Sequence, residues 1–104
     1  MAKILIVDDH PLIRDGLKSR LQSRPDWQVC GEAEMSSEAM QLIRETRPHV
    51  VLVDVSLKNG NGLELIKQIA ALNEPPKTLV CSMHDENLYA QRAIQAGARG
   101  FVHK

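Results

Sequence analysis

At four places in the chain, residues able to act on a phosphate or a metal ion directly follow a short apolar run. Ile4-Leu5-Ile6-Val7 runs into Asp8-Asp9, and Val50-Val51-Leu52-Val53 runs into Asp54. Thr78-Leu79-Val80-Cys81 runs into Ser82, and Arg99-Gly100-Phe101-Val102-His103 into Lys104. A lone aspartate after a strand is often a turn former or a helix cap. Four such ends within 104 residues argue instead for a shared site. Brought together, these ends supply three carboxylates, a hydroxyl and an ammonium. Clustered carboxylates repel one another, and a hard divalent cation removes that penalty. Oxygen-only ligands with few protein contacts suit Mg²⁺. The three negative charges, offset by Mg²⁺ and the Lys104 ammonium, form a site ready for a phosphoryl group, whose charge needs cations and donors around it.

Such a site exists only if the elements converge. Continuous Val- and Ile-rich runs predict strands buried on both faces, as in a parallel sheet. A weaker strand is expected from about Trp27 to Ala33. Between the strands lie apolar stripes at helical spacing: Leu12/Ile13, Leu17 and Leu21; Ala39, Met40 and Ile43, with Ser36 or Ser37 as N-cap; Leu65/Ile66, Ile69 and Leu72; and Leu88, Ala90, Ala93 and Ile94. Gly97 stands where a left-handed cap would end the fourth helix. Pro25, Pro48 and Pro75-Pro76 fall between elements, where proline costs least. Strict β-α alternation predicts an α/β sandwich with helices on both faces of a doubly wound, five-stranded parallel sheet. In strand order 2-1-3-4-5, strands 1 and 3 are neighbours and their ends lie ~5 Å apart. Ligands of open α/β sheets bind beyond the carboxyl ends of strands at such a switch point. The same order separates Cys30 and Cys81 by three strand steps, ~14 Å, beyond disulfide reach.

Composition narrows the classes. With 13 basic and 13 acidic residues the net charge is zero, which gives no broad attraction to DNA or to acidic membranes. The 43% apolar and 25% charged content is that of an ordinary globular domain. No apolar run approaches the ~20 residues of a membrane span, and Met1-Ala2-Lys3 leads straight into a strand rather than a signal peptide. A soluble, cytoplasmic domain is expected.

Taken together, these motifs resemble the receiver domain of two-component response regulators, in the NarL/FixJ-like subgroup with LuxR-type output. The likeness runs from Lys3 to Lys104. It rests on Ile4-Leu5-Ile6-Val7-Asp8-Asp9-His10-Pro11-Leu12, on Ser82-Met83-His84 and on Ala96-Gly97-Ala98-Arg99-Gly100-Phe101. It implies a flavodoxin-like fold and a role for each matching residue. Asp54 would accept a phosphoryl group from a phosphohistidine on a sensor histidine kinase. As an anion at neutral pH it needs no general base. Asp9 would be a direct Mg²⁺ ligand, Asp8 its acidic partner acting through water, and the Ser56 backbone carbonyl a third protein ligand. The Ser82 hydroxyl would bond the phosphoryl group and Lys104 would pair with one of its oxygens. Phe101 would swing inward when Ser82 moves, biasing a bistable surface. Such a domain catalyses its own phosphorylation and dephosphorylation and converts no metabolite.

The resemblance also implies a fifth helix after Lys104, where the chain stops. Residues 1–104 are therefore expected to be a receiver domain cut before its last helix. Apolar surface should then be exposed near strands 1 and 5, with self-association or homodimerisation as a consequence. A helix-turn-helix output domain, reading DNA elsewhere in the parent protein, would be absent. Two positions depart from the family pattern. Leu57-Lys58 stands where Met-Pro is common, so Lys58 lifts a φ restraint in the loop that Gly60 and Gly62 punctuate. The switch aromatic is Phe rather than Tyr.

Three rival functions are weaker. An aspartyl-nucleophile phosphatase of haloacid-dehalogenase type would carry a second Asp two positions after the nucleophile, where Ser56 stands. A flavin or nucleotide binder needs a phosphate loop after strand 1, and Asp8-Asp9 would repel that phosphate. A degenerate receiver acting only through protein contacts would not need Asp8, Asp9, Asp54, Ser82 and Lys104 intact. Among the remaining residues, His10 and His84 flank the site and are expected to be solvated. His49 and His103 lack ligand spacing. Tyr89 lies on the fourth helix, where the family places partner-binding surface. Trp27 has only a packing role.

Overall fold

The apolar runs become strands and the stripes become helices. The structure, a computed structural model, describes residues 2–54, 62–82, 97, 98 and 100–103, with 81, 82 and 100–103 described by their backbone alone. The elements are β1 (Ala2–Val7), α1 (Pro11–Gln22), β2 (Trp27–Ala33), α2 (Ser36–Thr46), β3 (Val50–Asp54), α3 (Gly62–Ala70), β4 (Lys77–Ser82) and β5 (Gly100–His103). They build one five-stranded sheet in the order β2-β1-β3-β4-β5, the expected topology, with every pairing parallel. The fourth expected helix, Leu88 to Ile94, lies outside the described residues.

Alternation along the central strands sends successive side chains to opposite faces. Leu5 and Val7 of β1, Val51 and Val53 of β3 and Val80 of β4 pack with Ala39 and Ile43 of α2 and Leu65, Ile66 and Ile69 of α3. Ile4 and Ile6 of β1 and Leu52 of β3 face the other way, against Leu17 and Leu21 of α1 with Val29, Val50 and Leu79. The continuous apolar runs at the centres of β1 and β3 follow from both faces being covered. Each fully buried Leu or Ile of α3 contributes about 2 kcal/mol through burial. Apolar surface was expected to be exposed near strands 1 and 5. On the strand 1 side Ile4, Ile6 and Leu52 are instead buried, since α1 and the flanking strands pack around them, while the side chains of β5 lie outside the described residues.

Several local expectations are corrected. Leu12 does not join the α1 stripe: it is 85% exposed, on the opening turn of the helix, and Leu17 and Leu21 make the contact instead. The N-cap of α2 is Met35, not Ser36 or Ser37, and makes no side-chain cap bond. Glu38 does the work from the first turn, its Oε1 accepting the Glu34 N–H at 2.8 Å, a place where the helix dipole also favours an acid. Cys30 is half-buried. The β1–β2 register slips between Ile4 and Leu5, so that Ile4 faces Val29 and Leu5 faces Gly31. Cys30 is the extra residue of that bulge, and its thiol lies 3.5 Å from the Ile4 carbonyl. His49 is structural: its Nδ1 accepts the Lys3 N–H at 2.9 Å, and its backbone ties β1 to the start of β4.

Candidate functional site

Strand register sets the site. Val7 pairs with Val53, so Asp8, one step past β1, and Asp54, the last residue of β3, emerge side by side. They are 1% and 2% exposed, as charged groups rarely are without partners. Asp9 follows on the same turn. Asp54 pairs with Cys81, which places Ser82 one step beyond it on β4, and Ser82 pairs with His103 on β5. The backbone thus brings the four strand ends to one edge of the sheet in the expected sequence. Ser56 and Lys104 lie outside the described residues, as does the Leu57-Lys58 loop, and of Ser82 and Phe101 only the backbone is described.

The turn after β1 is held from several sides. The Asp8 N–H donates to the Ala33 carbonyl at 3.0 Å. Asp8 Oδ1 accepts the His10 N–H at 2.9 Å, an Asx turn that hands the chain to α1 with Pro11 in its first turn. Arg14, one turn into α1, donates from Nη1 to the Asp8 carbonyl at 2.7 Å. Its Nη2 lies 3.1 Å from Glu34 Oε1 and its Nε 3.5 Å from Glu32 Oε1. Lys18 Nζ meets Glu32 at 3.2 Å.

His10 departs from expectation. Its side chain is 52% exposed, yet Nδ1 lies 2.8 Å from Asp8, 3.0 Å from Asp9 and 3.5 Å from Asp54. Its pKa is raised, first by the hydrogen bond to Asp8 and then by the charges of Asp8, Asp9 and Asp54, with burial opposing them. Asp-Asp-His followed by Pro is a readable turn signal. That the ring then meets Asp54 depends on strand pairing across 44 residues of sequence, which no local pattern carries.

Each of Asp8, Asp9, His10 and Asp54 offers a ligand atom within 4.8 Å of all the others. The buried Asp9 Oδ1 makes no well-aligned hydrogen bond among the described residues. A carboxylate-rich set with such an atom fits a hard divalent cation, and it is compatible with Mg²⁺.

Comparison with known proteins decides the family. The model of the response regulator receiver domain matches residues 4–104. The chain belongs to that family. The response regulator GacA of Pseudomonas aeruginosa is 36% identical over 104 residues, all of this chain and 49% of that protein. The transcriptional regulatory protein YdfI of Bacillus subtilis is 35% identical over all of this chain and 48% of its own length. A LuxR-family two-component response regulator from Aurantimonas sp. superposes with a TM-score of 0.93 at 36% identity, covering 100% of this chain and 74% of that one. The receiver domain spans about half the length of the curated relatives it matches. Those relatives are regulators rather than enzymes of metabolism. Among the described residues, no helix is long and apolar enough to cross a membrane.

Proposed function

We propose that this receiver domain is a phosphorylation switch that takes a phosphoryl group from a sensor histidine kinase onto Asp54. The observation that carries the reading is the placement of Asp54, buried at the end of β3 beside Asp8 and Asp9. An Asp54 oxygen attacks the phosphorus of a phosphohistidine. A P–O bond forms, the P–N bond breaks, and its electron pair leaves with the imidazole, which takes a proton. Hydrolysis of the acyl phosphate by water resets the switch. Asp8, Asp9 and Asp54, with the Ser56 carbonyl, would hold Mg²⁺. When bound, that ion neutralises the acidic cluster and the phosphoryl oxygens. Ser82 would bond one phosphoryl oxygen and Lys104 another, and Phe101 would relay the change to the surface.

The relatives' names and lengths support a longer parent protein that regulates transcription. Residues 1–104 would be its receiver domain, and a helix-turn-helix output domain, with the receiver's last helix, would lie beyond. Phosphorylation would then release or dimerise the output, in the cytoplasm, with the receiver itself touching no nucleic acid. The haloacid-dehalogenase alternative gains nothing from the structure.

The test is chemical. An acyl-phosphate donor with Mg²⁺ should add a single phosphate, on Asp54, read by intact and peptide mass spectrometry. Asp54→Asn should abolish the adduct. Equal labelling of that variant, or none of the wild type, would overturn the assignment.

A further inference from the structure

We infer that Arg14 is a positioning residue for the cation site: its guanidinium fixes the peptide plane that joins Asp8 to Asp9. This rests on reading the carboxylate cluster as the Mg²⁺ site, and goes beyond it by naming what holds that cluster in place.

The geometry is specific. The Asp8 carbonyl belongs to the peptide bond that sets the direction of Asp9. Its oxygen accepts Arg14 Nη1 at 2.7 Å, a charge-assisted bond at the short end of the range. The Asp8 N–H is already held by Ala33 at 3.0 Å, so both sides of Asp8 are pinned, one to β2 and one to α1. Arg14 in turn cannot drift. Its side chain is only 15% exposed, with Glu34 3.1 Å from Nη2 and Glu32 3.5 Å from Nε. A planar fork that bonds one carbonyl from Nη1 while lying beside two carboxylates, its buried Nε left without a well-aligned hydrogen bond among the described residues, is a task for Arg and not for Lys. The two glutamates also answer a difficulty. A bare guanidinium behind the carboxylates would repel an incoming divalent cation. With Glu32 and Glu34 beside it, much of that charge is offset, and the hydrogen bond remains as the main effect.

This division makes the sign of the mutant effect decisive. If Arg14 acted mainly as a charge, its removal would strengthen Mg²⁺ binding. If it only packed α1 against β2, removal would lower stability and leave the affinity unchanged. As a positioning residue, its loss should weaken binding, by about tenfold for an outer-shell partner. The experiment is an Mg²⁺ titration of the protein, followed by amide NMR shifts at Asp9 and His10, for wild type, Arg14→Met and Arg14→Lys. Wild type should bind. Arg14→Met should bind about tenfold more weakly. Its Asp9 amide nitrogen should also shift before any metal is added, because the carbonyl bonded to that nitrogen has lost its donor. Arg14→Lys, which keeps the charge without the fork, should recover only part of the affinity. Should Arg14→Met not fold, the lysine variant decides, since wild-type affinity there would overturn the proposal. So would unchanged or tighter binding by Arg14→Met. A wild type that binds no Mg²⁺ would instead refute the cation site itself.

Discussion

At the residue scale, three carboxylates converge and one imidazole sits among them. The carboxylates were legible because each closes an apolar run, and strand order alone places such ends together. The imidazole was not, because its position depends on Asp54 arriving from a distant strand. His10 Nδ1 lies where a cation would contact the same oxygens, so the two compete. His10→Ala should therefore tighten Mg²⁺ binding several-fold, since the half-exposed ring's ionic contacts, worth about 1 kcal/mol at most, no longer have to be broken. Calorimetric titration measures this, and weaker binding by the variant would make the imidazole a helper instead. Asp9→Asn should move the other way, with a loss of tenfold or more on removing a charged ligand. Ser82, Phe101 and Lys104 were equally legible as residue types, and the structure adds the backbone register of the first two.

At the scale of elements, legibility followed burial. β1 and β3 are apolar at nearly every position because both their faces are covered, so composition alone marked them; β4 carries a shorter run, Leu79-Val80-Cys81. α3 buries Leu65, Ile66 and Ile69 of its expected stripe, while Leu72 lies past the end of the helix and packs against the core half-buried. α1 has no fully buried residue, and its first leucine points to water, so periodicity overstated that face. The cap of α2 was misread because two serines outweighed a glutamate, yet it is Glu38 that satisfies a backbone donor there. Gly97 carries the sharpest element-level constraint. Its φ is +119°, and a Cβ at that position would lie 2.7 Å from the Cβ of Ala70, the last residue of α3. Gly97→Ala should cost about 2 kcal/mol through combined strain and overpacking. That corresponds to a fall in melting temperature of roughly 10 °C. Thermal melts by circular dichroism check this, and an unchanged midpoint would mean that the chain around Gly97 yields freely.

At the scale of the whole molecule, zero net charge hides a separation. The described sheet gathers Asp8, Asp9 and Asp54 at one edge, so folding concentrates repulsion there that a bound cation would relieve. Mg²⁺ should therefore stabilise the fold by about 1.4 kcal/mol at ten times its dissociation constant. The melting point would rise by roughly 5–10 °C. Chelation with EDTA should reverse the shift and Asp9→Asn should remove it; a wild-type melt indifferent to Mg²⁺ would contradict the reading. Neutral composition excluded broad attraction to DNA, but said nothing of where the acids gather, which is a matter of topology. The same topology has an optical consequence. The chain's sole tryptophan, Trp27, opens β2 beneath the Arg24 guanidinium, 5.1 Å from the ring centre. The carboxylates lie past the other end of the strands, about 20 Å away at the usual rise per residue. The protein's own fluorescence thus watches the rim of the sheet farthest from the carboxylate cluster. It should report unfolding and stay dark to the proposed phosphorylation, so a spectroscopist testing that reading must bring a reporter to the acidic edge.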